Sequence, residues 1–213
     1  MSNVLKIIIL VCILSEISFS YPAKVFLQVP FTPQAPFGNW GEPYQEACEE
    51  ASVLMSMRYI HHKGITNIEA KREIDNMVKF QEENYKGHKD LTVRQTGKLL
   101  KDYYGFDKFR VIESATIESI LSALGNGNLV IVPLDGRTVG NPYYTRPGPA
   151  YHMVIVKGYD LGKKEFITND PGTKRGSNYR YKFDVLYNAI HDWPGSKDKM
   201  SKGKKNILAI MIK

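Results

Sequence analysis

The residues best suited to chemistry are Cys48, His152 and Asp170. Cys48 falls in the first turn of a predicted helix over 47–63. A helix N-terminus offers unpaired N–H groups and a partial positive charge, and both favour a thiolate nucleophile. The same N–H groups can stabilise the oxyanion formed when a carbonyl is attacked. His152 opens a predicted strand over 152–159 and could face Cys48 as its base. A second strand over 165–169 follows a short connection, which predicts an antiparallel hairpin. In such a hairpin the start of one strand faces the end of the next. Asp170 then comes beside His152, where a carboxylate orients an imidazole and stabilises its charged form. The three together could serve as nucleophile, base and orienting acid in attack on a carbonyl.

Cysteine usage points the same way. The chain of 213 residues holds two cysteines, Cys12 and Cys48. Lys6 gives a positive start, residues 4–14 are almost wholly apolar, and Ser18-Phe19-Ser20 supplies small residues before Tyr21. That pattern reads as a signal peptide over 1–20, with secretion or a periplasmic location as the consequence. The apolar run is short against the roughly 20 residues of a membrane span. An uncleaved membrane anchor is the second reading, because Glu16 interrupts the segment. No other apolar stretch is long enough to span, so no transmembrane domain is expected. Once the segment is removed, Cys48 stands alone in an oxidising space, where a cysteine used for stability would be paired; on count alone, a chemical role and a buried, inert cysteine both stay open.

Other titratable residues fit chemistry less well. His61 and His62 are adjacent near a helix C-terminus and cannot share a helix face, so they make no metal pair. His88 lies in a polar loop, and His191 and Asp192 read as surface positions on the last helix. No Cys/His spacing fits a zinc site, and neither a metal nor a cofactor is expected. Asn169 could replace Asp170 beside His152, but strand alternation sends the two side chains to opposite faces. Trp40, Tyr143 and Tyr144 fall on loops flanking the site, as groove lining or as loop packing. The net charge of +7 comes from lysines spread over loops and helix faces, without a nucleic-acid module.

The elements that must carry these residues segregate along the chain. A strand over 25–29 is followed by a Pro- and Gly-rich loop over 30–44. Helices follow over 47–63, 68–85 with Asn67 as N-cap, 92–104 and 116–124, with a strand over 109–112. Strands then dominate: 129–134, a continuous apolar run, then 152–159, 165–169 and 207–212. A last helix covers 183–193, and 196–205 is a charged loop. Helices first and strands later argue for an α+β domain over 21–213, with the helical first half packed on an antiparallel sheet.

Four blocks also carry a family resemblance. They are Val29-Pro-Phe-Thr-Pro-Gln34, Tyr44-Gln-Glu-Ala-Cys-Glu-Glu-Ala-Ser52, Tyr151-His-Met-Val-Ile-Val-Lys-Gly-Tyr159 and Ile167-Thr-Asn-Asp-Pro-Gly172. In this order they resemble the cysteine peptidase-like domains related to the bacteriocin-processing double-glycine peptidases, in the papain-like clan. The resemblance implies a papain-like fold, Cys48 as nucleophile, His152 as base and Asp170 as orienting acid. It also implies a glutamine that donates to the oxyanion. Gln34 matches by block but lies 14 residues before Cys48, and Gln45 lies three before it. Gln34 is preferred and Gln45 stays open. Glu49 departs from the glycine of many members; it would either raise the thiol pKa or point away along the helix. The expected activity is peptide hydrolysis by a monomer acting on a peptide or protein substrate. Transglutaminase or isopeptide chemistry on the same triad, and a catalytically inactive peptide-binding relative, are the alternatives. A transporter-linked leader peptidase fits less well, for want of a transmembrane domain.

Overall fold

The computed structural model describes residues 21–212. The predicted signal peptide over 1–20 lies outside the described residues. Among them, no helix is long and apolar enough to cross a membrane.

The fold is α+β. Among the described residues, seven strands form one antiparallel sheet: β1 (Lys24–Phe26), β2 (Phe109–Ile112), β3 (Leu129–Leu134), β4 (His152–Asp160), β5 (Glu165–Asn169), β6 (Tyr179–Lys182) and β7 (Ile207–Ile210). The order across the sheet is β2-β7-β3-β4-β5-β6. β4 pairs with β3 over its first half and with β1 over its last three residues. Gly158 is needed at that junction, because any side chain there would collide with the Val25 carbonyl.

Helices cover both faces, and strand alternation sorts the core accordingly. Leu129, Ile131, Met153, Ile155 and Leu208 pack with α1 (Cys48–Ile60), α2 (Asn67–Tyr85) and α3 (Val93–Tyr104). Val130, Val132, Val154, Val156 and Ala209 pack with α4 (Ile117–Gly125) and α5 (Phe183–Ala189) on the other face. This explains the unbroken apolar run in β3: a strand covered on both faces has no polar side.

Three helices start with the same device. Thr66, Thr92 and Thr116 each cap the helix that follows, in reciprocal boxes with Glu69, Gln95 and Ser119. The N-cap of α2 is therefore Thr66, not the predicted Asn67; Thr66-x-x-Glu69 is the box signature. α1 differs: Ala47 precedes it, with no side-chain cap.

The last predicted helix is too long. α5 ends at Ala189 because Ile190 bridges to Leu134 and leaves the helical path. Asp192 is accordingly not a surface helix position. It is buried, accepts from the Val93 N–H at the start of α3, and accepts again from Asn206. β6 lies in a stretch without a predicted element, although Tyr179 and Tyr181 alternate with Arg180 and Lys182 as strand periodicity requires.

Candidate active site

Cys48 is the first residue of α1 and is buried. The start of α1 lies against β4: the Ser52 hydroxyl donates to the Met153 carbonyl. His152, one residue before Met153, opens β4. Cys48 and His152 line one cleft of about 330 Å³, together with Gln34 and Gly172.

Asp170 lies just past β5. Its Oδ1 is 2.8 Å from His152 Nε2 and also accepts from the Gly172 N–H. This leaves Nδ1 as the ring nitrogen available to another group. The other carboxylate oxygen, Oδ2, accepts from the Tyr144 and Tyr181 hydroxyls at 2.6 Å each and from Asn141 Nδ2 at 3.0 Å. Burial alone would push the Asp170 carboxyl up. The His152 charge and bond, with the two tyrosines, outweigh it and hold the pKa below its ordinary value. Asp170 is thus an ionised, fully buried acceptor of five donors. Tyr144, Tyr181 and Asn141 are the functional residues that sequence reasoning missed; Tyr144 had been considered only as loop lining or packing. Asn169, on the opposite face as expected, instead holds the Val29 and Pro30 carbonyls.

Gly172 is confined by the same geometry. A Cβ there would lie 2.9 Å from His152 Cε1 and 3.0 Å from Tyr144 Cε1, so only glycine leaves the imidazole its place.

The two glutamines sit differently. Gln34 is buried, and its backbone N–H donates to the Pro171 carbonyl, which ties the loop before α1 to the loop after Asp170. Gln34 Nε2 donates to the Tyr44 and Gln45 carbonyls at 2.9 and 3.1 Å, while Oε1 is buried without a partner. Gln45 is exposed and donates to Glu42.

Glu49 does not point away. Its Oε2 accepts from the Cys48 thiol at 3.0 Å, and its Oε1 accepts from the Leu91 N–H. Burial first, then the Glu49 carboxyl, push the Cys48 thiol well above its ordinary pKa. Glu49 is itself raised well above the carboxylate range, by burial and then by Glu50. The two adjacent buried carboxyls, Glu49 and Glu50, titrate as a pair.

Glu50 forms a second buried pair, with Gln81. Gln81 Nε2 donates to Glu50 Oε1, and Glu50 Oε2 and Gln81 Oε1 have no partners among the described residues. A proton on Glu50 Oε2 would complete a cyclic acid–amide pair, and burial raises the Glu50 pKa to about 7. The sign of the pH dependence follows. Between about 4.5 and about 7 the folded state keeps a proton that the unfolded state has lost, so stability falls as pH rises through that window. Glu50→Gln retains the pairing and removes the penalty. It is expected to stabilise the protein by about 2–3 kcal/mol at pH 8 and to flatten the pH 4.5–7 decline in thermal unfolding. An unchanged slope would mean that Glu50 is ionised in the folded protein.

No group of three or more His, Cys, Asp or Glu among the described residues is placed to hold a metal ion.

A cysteine at a helix start and a histidine at a strand start, lining one cleft on a helix-covered antiparallel sheet, fit the class of papain-like cysteine peptidase domains. Residues 26–199 match the Peptidase_C39 like family, and the chain belongs to that family. A structure from Bacillus anthracis assigned as a C39-like peptidase shares the fold, with a TM-score of 0.54 at 17% identity, over 88% of this chain and 98% of that one. Xylellain, a cysteine protease from Xylella fastidiosa, aligns with a TM-score of 0.47 at 14% identity, over 91% of this chain and 88% of that one. No curated protein matches the chain in sequence.

Proposed function

We propose that the chain is an exported cysteine peptidase: a signal peptide over 1–20 followed by a peptidase domain over 21–213, acting in the secreted or periplasmic space. The observation that carries the catalytic reading is the shared cleft of Cys48 and His152, with Asp170 fixing the far nitrogen of the ring. His152 Nδ1 takes the thiol proton as Cys48 sulfur attacks the substrate carbonyl carbon. The C–N bond breaks, and the amine leaves with the proton from the imidazolium. Water, deprotonated by His152, then cleaves the thioester and restores the thiol. Because burial and Glu49 hold the thiol proton, this transfer accompanies attack instead of preceding it. The free N–H groups of uncapped α1 would receive the oxyanion, with Gln34 Nε2 as the side-chain donor once it releases a carbonyl. Gln45 lines the same cleft but is exposed, with its amide donated to Glu42, and is the lesser candidate.

Profiling cleavage on a peptide library, with iodoacetamide labelling across pH, tests the proposal. Cleavage of peptides and a labelling rate that depends on His152 are expected. No cleavage, together with labelling no faster than a free cysteine and unaffected by His152→Ala, would remove the enzyme reading.

One observation favours a second reading, a catalytically silent peptide-binding relative: the Cys48–Glu49 bond stabilises the unreactive thiol. Glu49→Gln separates the two. The amide can still accept from Leu91 and would donate to the sulfur, so the Cys48 pKa falls. The acid limb of kcat/KM is expected to move down by about one pH unit, with labelling at neutral pH about tenfold faster. Labelling that speeds up without any gain in cleavage would favour the silent relative.

A further inference from the structure

Resting on the peptidase reading of the Cys48 cleft, we propose that its substrates are acidic peptide segments, with Arg146, Lys174 and Arg175 reading carboxylates close to the scissile bond. The Cys48 cleft continues into a second groove of about 370 Å³, because Trp40, Thr145 and Gly172 line both. Arg146 lines the first part, and Lys174 and Arg175 line the second. All three cations are exposed, and among the described residues none of them makes an ion pair. The carboxylate that lines the cleft, Glu46, is engaged by Lys197 at 3.2 Å. The uncompensated charge along the groove is therefore positive. Two exposed aromatic rings line the groove with the cations: Trp40 is 37% and Tyr143 44% exposed, and the Arg175 guanidinium lies over the Tyr143 ring at 5.0 Å. A guanidinium held on a ring gives up little freedom when it takes a carboxylate in its fork. An extended peptide with a glutamate or aspartate beside the cleaved bond, and an apolar neighbour on Trp40, satisfies every group in the groove.

The test reads binding and cleavage separately. Cys48→Ala is titrated into rhodamine-labelled degenerate peptide pools that carry glutamate, alanine or lysine at fixed positions, and anisotropy is recorded at low and high salt. The glutamate pool is expected to bind tightest, with an affinity that falls as salt rises. Adding Lys174→Glu and Arg175→Glu is expected to weaken its binding roughly tenfold and to improve that of the lysine pool. Lys63→Glu with Lys108→Glu makes the same change in net charge on remote, exposed positions and serves as control. Equal binding of the three pools, or an equal loss in the control pair, would overturn the inference. If the glutamate pool binds as expected but the wild type cleaves no pool, the cation-lined groove stands and the peptidase reading falls.

Discussion

Cys48→Ala is expected to lower kcat for peptide cleavage by on the order of 10⁶-fold, the scale on which removal of a catalytic nucleophile acts. The melting temperature should move by only a few degrees. Cys48 is a small buried group whose sulfur makes one side-chain hydrogen bond, to Glu49, and Ala51, one turn on, shows that alanine packs well in this helix. The uncapped N-terminus of α1 and the cleft itself are untouched. Loss of activity with retained folding would thus place the reaction at the sulfur. Cleavage within tenfold of the wild type would remove Cys48 from the mechanism altogether.

Asp170→Ala should be damaging in two measurements at once. The substitution strips five donors of their acceptor inside a site closed to water. Breaking a buried charged contact of this kind costs about 3–5 kcal/mol of stability. Activity is expected to fall by about 10³–10⁴-fold in addition, since the imidazole loses the group that fixes its tautomer. Asp170→Asn separates the two effects. Its oxygen can still accept from His152 and Gly172, and the tyrosine hydroxyls can turn to accept from the new amide. Stability should recover more than activity does. The wild-type carboxylate also has a pH signature. Its lowered pKa contributes stability that is complete above about 4, the unfolded value, and is lost as pH falls through the folded value. Asp170→Asn should remove that share of the acid unfolding. An alanine variant with near wild-type stability would mean that the five-donor arrangement does not persist in solution.

How much of this was legible depended on whether the signal was local. The apolar run of β3, the β4–β5 hairpin and the stops of α2 and α3 were readable, because periodicity and turn residues reside in the segments themselves; α1 ends at Ile60, three residues short of the expected 63. The closeness of His152 and Asp170 followed from hairpin geometry alone. The partners of Asp170 did not. Tyr144 and Asn141 come from a long loop and Tyr181 from the unpredicted β6, and nothing in those segments names a residue 11 to 29 positions away. The α5 boundary failed for the same reason: Ile190 leaves the helix to meet Leu134, a contact between distant segments. Glu49 was flagged with two outcomes, and its direction was decided by the Leu91 N–H, which arrives from the start of a different helix. Thr66 is the contrasting case, since its capping box could have been read three residues apart.

The pairing of β1 with the far end of β4 fixes where the chain enters the domain. Lys24 lies opposite Asp160, and His152 sits at the other end of the same strand. Nine residues of strand separate the two ends by about 26 Å at the usual rise per residue. Tyr21 lies beside Gly125 at the close of α4, on the same far side. A resin, a surface or a reporter protein joined ahead of Tyr21 would therefore sit behind the catalytic face. The immobilised domain should still accept long substrates, which makes N-terminal tethering the practical choice for fishing its targets out of a mixture.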